Sequence, residues 1–167
     1  LQDPMAALNP VFPVRDQIGE VLALHRGLRG AAQERIALEL LHHLRVPDPP
    51  RVLRSYPHQL SGGMRQRVVS AIALAGEPDL LIADEPTTAL DVTIQAAYLQ
   101  LLRHLQRESG LAVLFVTHDL GAIARVCDRV AVMYGGRIVE VTDVVTVFRA
   151  PQHPYTQALL RSLPDVD

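Results

Sequence analysis

Two adjacent carboxylates, Asp84 and Glu85, directly follow the apolar run of residues 80–83. A short apolar run between turn residues favours a buried strand, and ligands of a parallel sheet bind where its strands end. One carboxylate there can hold Mg²⁺ through water, and its neighbour can polarise an attacking water. The pair therefore predicts phosphoryl-transfer chemistry, with Asp84 as the metal residue and Glu85 as the base. A solvated Asp-Glu turn explains the two residues about equally well, because one short motif is unspecific.

A second feature is the sequence Ser61-Gly62-Gly63 ahead of the apolar-periodic residues 64–75. Serine is a preferred helix N-cap, and a helix start carries unpaired N–H groups and about half a positive charge. We therefore predict an anion cradle made of backbone amides and the Ser61 hydroxyl. Taken alone, an ordinary serine-capped helix with turn glycines is the more frequent explanation.

Three other polar residues are candidate functional residues only because of their positions relative to the predicted helices, strands and loops. His118 ends the apolar run of residues 111–117, where an imidazole could hydrogen-bond a phosphate. Asp91 precedes a periodic stretch and is predicted to cap a helix. Gln2 lies in a proline-rich loop and carries no information by itself. The other six histidines lack metal-ligand spacing and are predicted to be surface residues: His25, His42, His43, His58, His104 and His153.

The chain contains no lysine, since all 16 basic residues are arginines. A phosphate-binding P-loop uses a lysine to reach the β- and γ-phosphates, and no stretch of this sequence supplies it. The chain therefore offers one half of a nucleotide-hydrolysing site, and we interpret it as part of an ATPase. The start at Leu1 indicates a chain that begins within a structure.

Composition excludes several classes of protein. The length of 167 residues and the 49 % apolar content fit a folded domain rather than a disordered chain. A net charge of −2 gives no general attraction for nucleic acid or anionic lipid. The single cysteine, Cys127, cannot form an internal disulfide. Neither a signal peptide nor a membrane-spanning apolar stretch is visible.

Periodicity and breakers predict alternating helices and strands. We expect a loop over residues 1–13, an extended linker over 56–60, and a proline-bounded tail over 151–164. Helices are predicted over residues 14–28, 31–44, 64–75, 92–107, 120–127 and 142–149. Buried strands are predicted over 80–83 and 111–117, and a hairpin over 130–134 and 138–141. This alternation indicates an α/β fold with a parallel sheet covered by helices.

Order and spacing make the motifs specific where each alone is weak. Over essentially its whole length the chain resembles the ATP-binding-cassette (ABC) ATPases, through residues 60–68, 80–91 and 116–119. The resemblance assigns Gln2 to the Q-loop, residues 60–64 to the signature, Asp84 and Glu85 to the Walker B motif, residues 89–91 to the D-loop, and His118 to the switch histidine.

The resemblance narrows to the ATPase subunits of oligopeptide, dipeptide and nickel importers. This narrower resemblance rests on Asn9-Pro10, on the sequence of residues 87–91, and on residues 151–156 followed by Leu159 and Leu160. Two departures stand out. The P-loop and the adenine-stacking aromatic residue of the family lie upstream of Leu1, and Met64 stands where a glutamine is common, which we expect to matter little because the amides remain.

The resemblance implies a partial P-loop NTPase (RecA-like) core with a parallel sheet, plus the ABC helical subdomain. It implies three parts: a Q-loop and helical subdomain over residues 1–58, a nucleotide-binding core over 59–145, and a peptide-importer extension over 146–167. The cofactors would be ATP and Mg²⁺, with Gln2 and Asp84 near the metal. ATP held by one subunit would be covered by Ser61, Gly62 and Gly63 of another, with Asp91 at the same interface.

The implied partners are a second ABC ATPase subunit, transmembrane permease subunits docked on residues 14–58 and, indirectly, an extracytoplasmic solute-binding protein; nucleic acid is not among them. The location would be the cytoplasmic face of the cell membrane, as a peripheral protein. Two alternatives stay open: a nucleic-acid maintenance ATPase, which would carry long heptads and basic surfaces, and a regulatory module without hydrolysis. We expect the 167-residue chain alone to be inactive and poorly soluble, because a sheet edge and an apolar face would be uncovered.

Overall fold

The structure is a computed structural model that describes residues 4–87 and 90–162. Gln2 therefore lies outside the described residues, as do Thr88 and Ala89, and Ala89 is the first residue of the predicted D-loop. The chain divides into two compact units, Leu1–Val116 and Thr117–Asp167. The three-part division expected from the sequence stays a prediction.

The first unit contains six helices, a 3₁₀ turn and two strands within its described part. The helices are α1 (Pro4–Ala7), α2 (Val14–Arg26), α3 (Gly30–His43), α4 (Pro49–Arg54), α5 (Gly62–Ala75) and α6 (Val92–Ser109), the turn is Pro57–Gln59, and the strands are β1 (Leu80–Asp84) and β2 (Ala112–Val116). The helices predicted over 14–28, 31–44, 64–75 and 92–107 are confirmed to within two residues or so at each end.

The sequence prediction missed two short helices and one turn. Helix α1 lies in the predicted loop, and α4 lies among the prolines that were expected only to end α3. Pro49 and Pro50 occupy the first turn of α4, where a missing N–H costs nothing, and the Asp48 side chain accepts from the Arg51 N–H. The predicted linker likewise contains the 3₁₀ turn, although Tyr56 itself is extended, as its position before Pro57 requires.

The core of the first unit is helical. Most of its fully buried leucines and its isoleucine come from α2, α3, α4 and the connecting residues, and each such side chain contributes about 1.5–3 kcal/mol. Helix α5 adds Val68, Ala71 and Ala75 to this core, and α6 adds Leu101. Arg67 of α5 donates to the carbonyls of Leu44 and Arg45, just after α3, so α5 also holds the end of α3.

The two strands of the first unit pair in parallel, which confirms the predicted sheet type. The register runs from Leu80 opposite Ala112 to Asp84 opposite Val116. The expectation that both strands are buried is wrong for one face, because Ile82 is 59 % exposed and Leu114 is 52 % exposed. Side chains alternate across a strand, so the face with Ala83 is covered while the face with Ile82 is open among the described residues.

The second unit is a hairpin with helices. It contains α7 (Leu120–Val126), β3 (Arg129–Tyr134), β4 (Arg137–Asp143), α8 (Val144–Arg149) and α9 (Pro154–Arg161). The predicted antiparallel hairpin is confirmed, and its turn residues Gly135 and Gly136 have φ of 56° and 76°. This left-handed pair is the geometry that a tight hairpin turn requires. The predicted tail over 151–164 contains α9, a helix that the prolines obscured.

A carboxylate on β4 anchors the start of α9. Glu140 accepts from the N–H groups of Gln152 at 2.9 Å and His153 at 3.0 Å. These bonds, the Gln152 bond first, hold the pKa of the Glu140 carboxyl below its usual range, and the nearby Thr156 hydroxyl lowers it further. Thr156 is 1 % exposed, and its hydroxyl has no partner at ordinary hydrogen-bond geometry among the described residues. Its interaction with the Glu140 carboxylate is therefore less well formed than the two backbone hydrogen bonds.

None of the helices in residues 4–87 and 90–162 combines the length and the apolar character needed to cross a membrane.

Acid should loosen α9 through Glu140. A carboxylate with a lowered folded-state pKa stabilises the structure above its unfolded pKa of about 4.3, and this stabilisation is lost as the pH falls through the folded pKa. We expect the hydrogen-exchange protection of α9, corrected for intrinsic rates, to fall below about pH 4. Glu140→Gln should remove this pH dependence, whereas Glu34→Gln, at an exposed position of α3, should leave it in place. Equal acid dependence in wild type and Glu140→Gln would contradict the assignment.

Candidate functional site

Helix α5 begins at the predicted anion cradle. Ser61 is extended, with φ −67° and ψ 162°, and its Oγ accepts from the Met64 N–H at 3.4 Å, which confirms the predicted N-cap. Ser61 and Gly62 are exposed and Gly63 is buried. The first turn of α5 holds no acidic residue. Its amides and partial positive charge therefore face no competing carboxylate within the turn, which suits a phosphate.

The paired acids lie where the sheet ends. Asp84 is the last residue of β1 and pairs with Val116, the last residue of β2. The N–H of Glu85 donates to the Val116 carbonyl at 2.8 Å, which extends the pairing by one residue. Glu85 has φ 44°, in the left-handed region that costs a non-glycine residue about 1–3 kcal/mol. Strain of this kind concentrates at functional sites, so the turn at Glu85 supports a functional interpretation of the pair.

The carboxylates at the end of β1 suit a magnesium ion. Both acids are half-buried, so water reaches them. Mg²⁺ keeps several waters and takes one or two carboxylates from a protein, and Asp84 at an open sheet end offers that arrangement. No cluster of three or more histidine, cysteine, aspartate or glutamate residues occurs in the part of the chain that the structure describes. A site supplied by one carboxylate, water and nucleotide phosphates is consistent with this.

Asp91 caps α6, as predicted. Its Oδ1 accepts from the Ile94 N–H at 2.9 Å. The start of α6 lies against the start of α5, because a Cβ placed on Gly63 would meet the Ile94 Cγ2 at 2.9 Å. The structure thus brings Asp91 and the Ser61–Gly63 turn together at the paired starts of two helices.

His118 belongs to the second unit, at the entry to α7. The chain there is fixed by Thr117, whose Oγ1 accepts from the Asp119 N–H at 3.0 Å, and by Asp119, whose Oδ1 accepts from the Ala122 N–H at 3.1 Å. His118 is exposed between these two residues. Asp119 was not singled out from the sequence, although an aspartate before an apolar-periodic run is the ordinary signal for a cap.

Five of the six histidines expected at the surface are exposed, namely His25, His42, His43, His58 and His104. His153 is half-buried, because its Nδ1 accepts from the Tyr155 N–H at 3.1 Å and so caps α9. The expectation of a plain surface residue was therefore wrong for His153.

A buried polar contact behind the two helix starts was missed by the sequence reasoning. The Tyr98 hydroxyl lies 2.7 Å from Ser70 Oγ. Because Ser70 donates its own hydrogen to the Gln66 carbonyl at 3.0 Å, Tyr98 is the donor in the 2.7 Å bond. Burial raises the pKa of Tyr98, and hydrogen bonds to Ser70 and Gln66 partly offset that rise. Helical spacing placed Tyr98 inside, but no periodicity can show which polar group meets it.

Removing the Tyr98 hydroxyl should weaken the α5–α6 contact without disturbing its apolar packing. We expect Tyr98→Phe to lower the free energy of unfolding by about 1–2 kcal/mol, the cost of a lost buried hydrogen bond. The measurement is urea denaturation followed by circular dichroism. Tyr134→Phe, at a residue 58 % exposed, is the matched control and should change the value by less than about 0.5 kcal/mol. Equal effects of the two substitutions would contradict the proposed bond.

Comparison with known proteins agrees with this geometry. Residues 2–88 match the family described as ABC transporter, and residues 139–167 match the oligopeptide/dipeptide transporter C-terminal region. The chain therefore belongs to the ABC transporter ATPase family, and the second match confirms the resemblance that rested on residues 151–156.

Curated relatives are ATP-binding proteins of peptide or glutathione transport or import by name. The chain is 54 % identical to the dipeptide transport ATP-binding protein DppD of Bacillus subtilis over 99 % of this chain and 50 % of that protein. It is 58 % identical to a putative peptide import ATP-binding protein of Brucella melitensis over 98 % of this chain and 48 % of that protein. It is 57 % identical to the glutathione import ATP-binding protein GsiA of Pectobacterium atrosepticum over 98 % of this chain and 26 % of that protein.

The chain thus spans about half or less of the length of these relatives. Among solved structures it is similar to the dimeric ATP-binding cassette MJ0796 bound to ADP and Pi in a post-hydrolysis state. That match has a TM-score of 0.71 at 31 % identity and covers 82 % of this chain and 59 % of that chain. It is also similar to cbiO1 of Clostridium perfringens, part of the cbiONQ transporter complex, with a TM-score of 0.77 at 29 % identity, covering 89 % of this chain and 57 % of that chain. These matches confirm the predicted α/β fold with a partial P-loop NTPase core.

Proposed function

We propose that the full-length protein is the ATP-binding and ATP-hydrolysing subunit of an importer for oligopeptides or dipeptides, with nickel as the other candidate solute. The observation that carries the proposal is that one chain presents both a helix start without acidic residues at Ser61–Gly63 and two adjacent acids, Asp84 and Glu85, at the end of β1. The match of residues 139–167 to the peptide-transporter C-terminal region favours peptides as the solute class.

The residues divide the chemistry among them. Asp84 would hold Mg²⁺ through water, and the metal would offset charge on the phosphates. Glu85 accepts a hydrogen bond from the attacking water and orients it towards the γ-phosphate. His118 donates a hydrogen bond to the γ-phosphate. Gln2, which lies outside the described residues, would connect the metal site with the membrane partner.

The other half of the site comes from a second subunit. The residues of this chain include no P-loop lysine, whereas Ser61 and Gly62 are exposed at the start of α5, where their amides can meet a phosphate. We propose that Ser61, Gly62 and Gly63 of one subunit cover ATP bound by the P-loop of its partner, with Asp91 at the same interface. The similarity to a dimeric cassette supports this arrangement. The partner would be a second copy or a paralogue.

A membrane partner has an apolar surface to dock on. Val11 and Phe12 are 73 % and 50 % exposed, and Tyr56 is 39 % exposed. The Val14 N–H donates to the Ser55 carbonyl at 3.0 Å, so the two segments lie side by side. We propose that this surface of the helical part contacts the permease, which would place the protein at the cytoplasmic face of the cell membrane as a peripheral subunit. A solute-binding protein would act only through that permease.

The alternatives receive less support. A nucleic-acid maintenance ATPase would carry basic surfaces and long heptads, whereas this chain has a net charge of −2 and its longest described helix, α6, has 18 residues. A regulatory module without hydrolysis would have no need for Asp84, Glu85 and His118 together.

Replacing the proposed base should separate binding from hydrolysis. In the full-length protein we expect Glu85→Gln to lower the ATP turnover rate by about 10²-fold or more and to trap an ATP-bound dimer, visible as a shift in size-exclusion elution. Glu108→Gln, at an exposed residue on α6, is the control and should behave as wild type. Wild-type turnover in Glu85→Gln would show that Glu85 is not the base.

The 167-residue chain alone should not bind nucleotide. Without a P-loop lysine, the remaining contacts offer no cation to the β- and γ-phosphates. Titration with a fluorescent ATP analogue should therefore show no saturable, Mg²⁺-dependent signal. Tight saturable binding to the isolated chain would overturn the claim that the missing lysine is decisive.

A further inference from the structure

The surroundings of Gly63 leave no room for a side chain. Gly63 lies inside α5 and is buried, and its backbone is not in the left-handed region, so its conformation suits any residue. A Cβ there would instead lie 2.9 Å from Ile94 Cγ2 and 3.6 Å from Ile94 Cδ1. The first distance is too short for two carbon atoms, which prefer about 3.5–4.0 Å. A side chain at position 63 would therefore push α5 and α6 apart.

Ile94 has little freedom to move aside. Its N–H is bound to the Asp91 cap at 2.9 Å, so its backbone is fixed at the start of α6. An isoleucine in a helix has one strongly preferred χ1 rotamer, because two heavy atoms branch at Cβ. The Cγ2 methyl that faces Gly63 is attached at this branch point, and no rotation of the outer side chain removes it.

A second contact joins the same two helices. One helical turn beyond Ile94, Tyr98 binds Ser70 of α5. The Ser70–Tyr98 bond ties the two helices together further along, and the Gly63–Ile94 contact limits how closely their starts approach. These starts carry the Ser61–Gly63 turn and the Asp91 cap, the two features that the proposed function places at the subunit interface.

We propose that Ile94 is a positioning residue for nucleotide hydrolysis. It holds the Ser61–Gly63 turn at a set distance from Asp91, so that both helix starts meet the partner subunit as one rigid surface. Gly63 is required because Ile94 fills the place of its side chain. This inference rests on the proposed function, and it differs from a requirement for glycine imposed by close approach of a phosphate.

A double-substitution test in the full-length protein separates these two explanations. Gly63→Ala should lower kcat for ATP by about tenfold or more, which corresponds to a barrier higher by about 1.4 kcal/mol and is within the effect expected of overpacking. KM should change less than about twofold because the P-loop contacts are untouched. Ile94→Ala removes the Cγ2 methyl, whereas Ile94→Val retains it. We expect Gly63→Ala to cost less than about twofold in kcat in the Ile94→Ala background and its full effect in the Ile94→Val background.

A control variant and a thermal unfolding measurement complete the experiment. Gly76→Ala, at the other end of α5, places its Cβ at an ordinary 3.6 Å from His25 and should leave kcat unchanged. Thermal unfolding of the same variants reports the packing contact without reference to ATP: the Gly63→Ala loss in melting temperature should also be relieved by Ile94→Ala and not by Ile94→Val. A wild type without ATPase activity would defeat the proposed function while leaving that packing result intact.

Equal kcat losses from Gly63→Ala in the Ile94→Ala and Ile94→Val backgrounds would overturn the inference. Glycine would then be required at position 63 for a reason other than contact with Ile94. Relief of the melting temperature without relief of kcat would overturn it too, since Ile94 would be structural only.

Discussion

Backbone N–H groups at a helix start attract an anion without any charged side chain, and the rest of this structure depends on that property of α5. The Ser61–Gly63 turn leaves its amides at the surface and has no acid in its first turn. Such a cradle carries no formally charged side chain, so closing it over a nucleotide and opening it again would leave no unpaired ionised side chain buried. In the proposed function this cradle supplies half of an ATP site, although the 167 residues contain no lysine.

Helix α5 is also the element that connects the other parts of the first unit. Arg65 donates to the Pro57 carbonyl at 2.8 Å, and Arg67 holds the carbonyls that follow α3. Burial, followed by the neighbouring charge of Arg45, lowers the pKa of Arg67, although an arginine stays charged at any working pH. These hydrogen bonds tie the helical part to the start of α5, a physical connection that coupling between a permease and an ATP site would require.

Sequence reasoning performed well where local chemistry decides the structure. Serine and aspartate caps, the Gly135-Gly136 turn and the order of strands and helices follow from short-range rules, and so did the acid pair at the end of β1. It failed at α1, α4 and α9, where prolines that usually break helices occupy helix starts, and on the open face of β1 and β2, because burial depends on what covers a strand. The Gly63–Ile94 and Ser70–Tyr98 contacts join distant positions that no single-sequence pattern connects.

The central claim is that Ser61 and Glu85 serve one nucleotide from opposite subunits, and complementation in mixed dimers of two tagged copies tests it most directly. Combining a Ser61→Arg subunit with a Glu85→Gln subunit leaves one site with an intact serine and an intact glutamate if the residues act across the interface. Combining wild type with a subunit that carries both substitutions then leaves none. We predict ATP turnover in the first dimer and its loss in the second; turnover in the second and loss in the first would contradict the account.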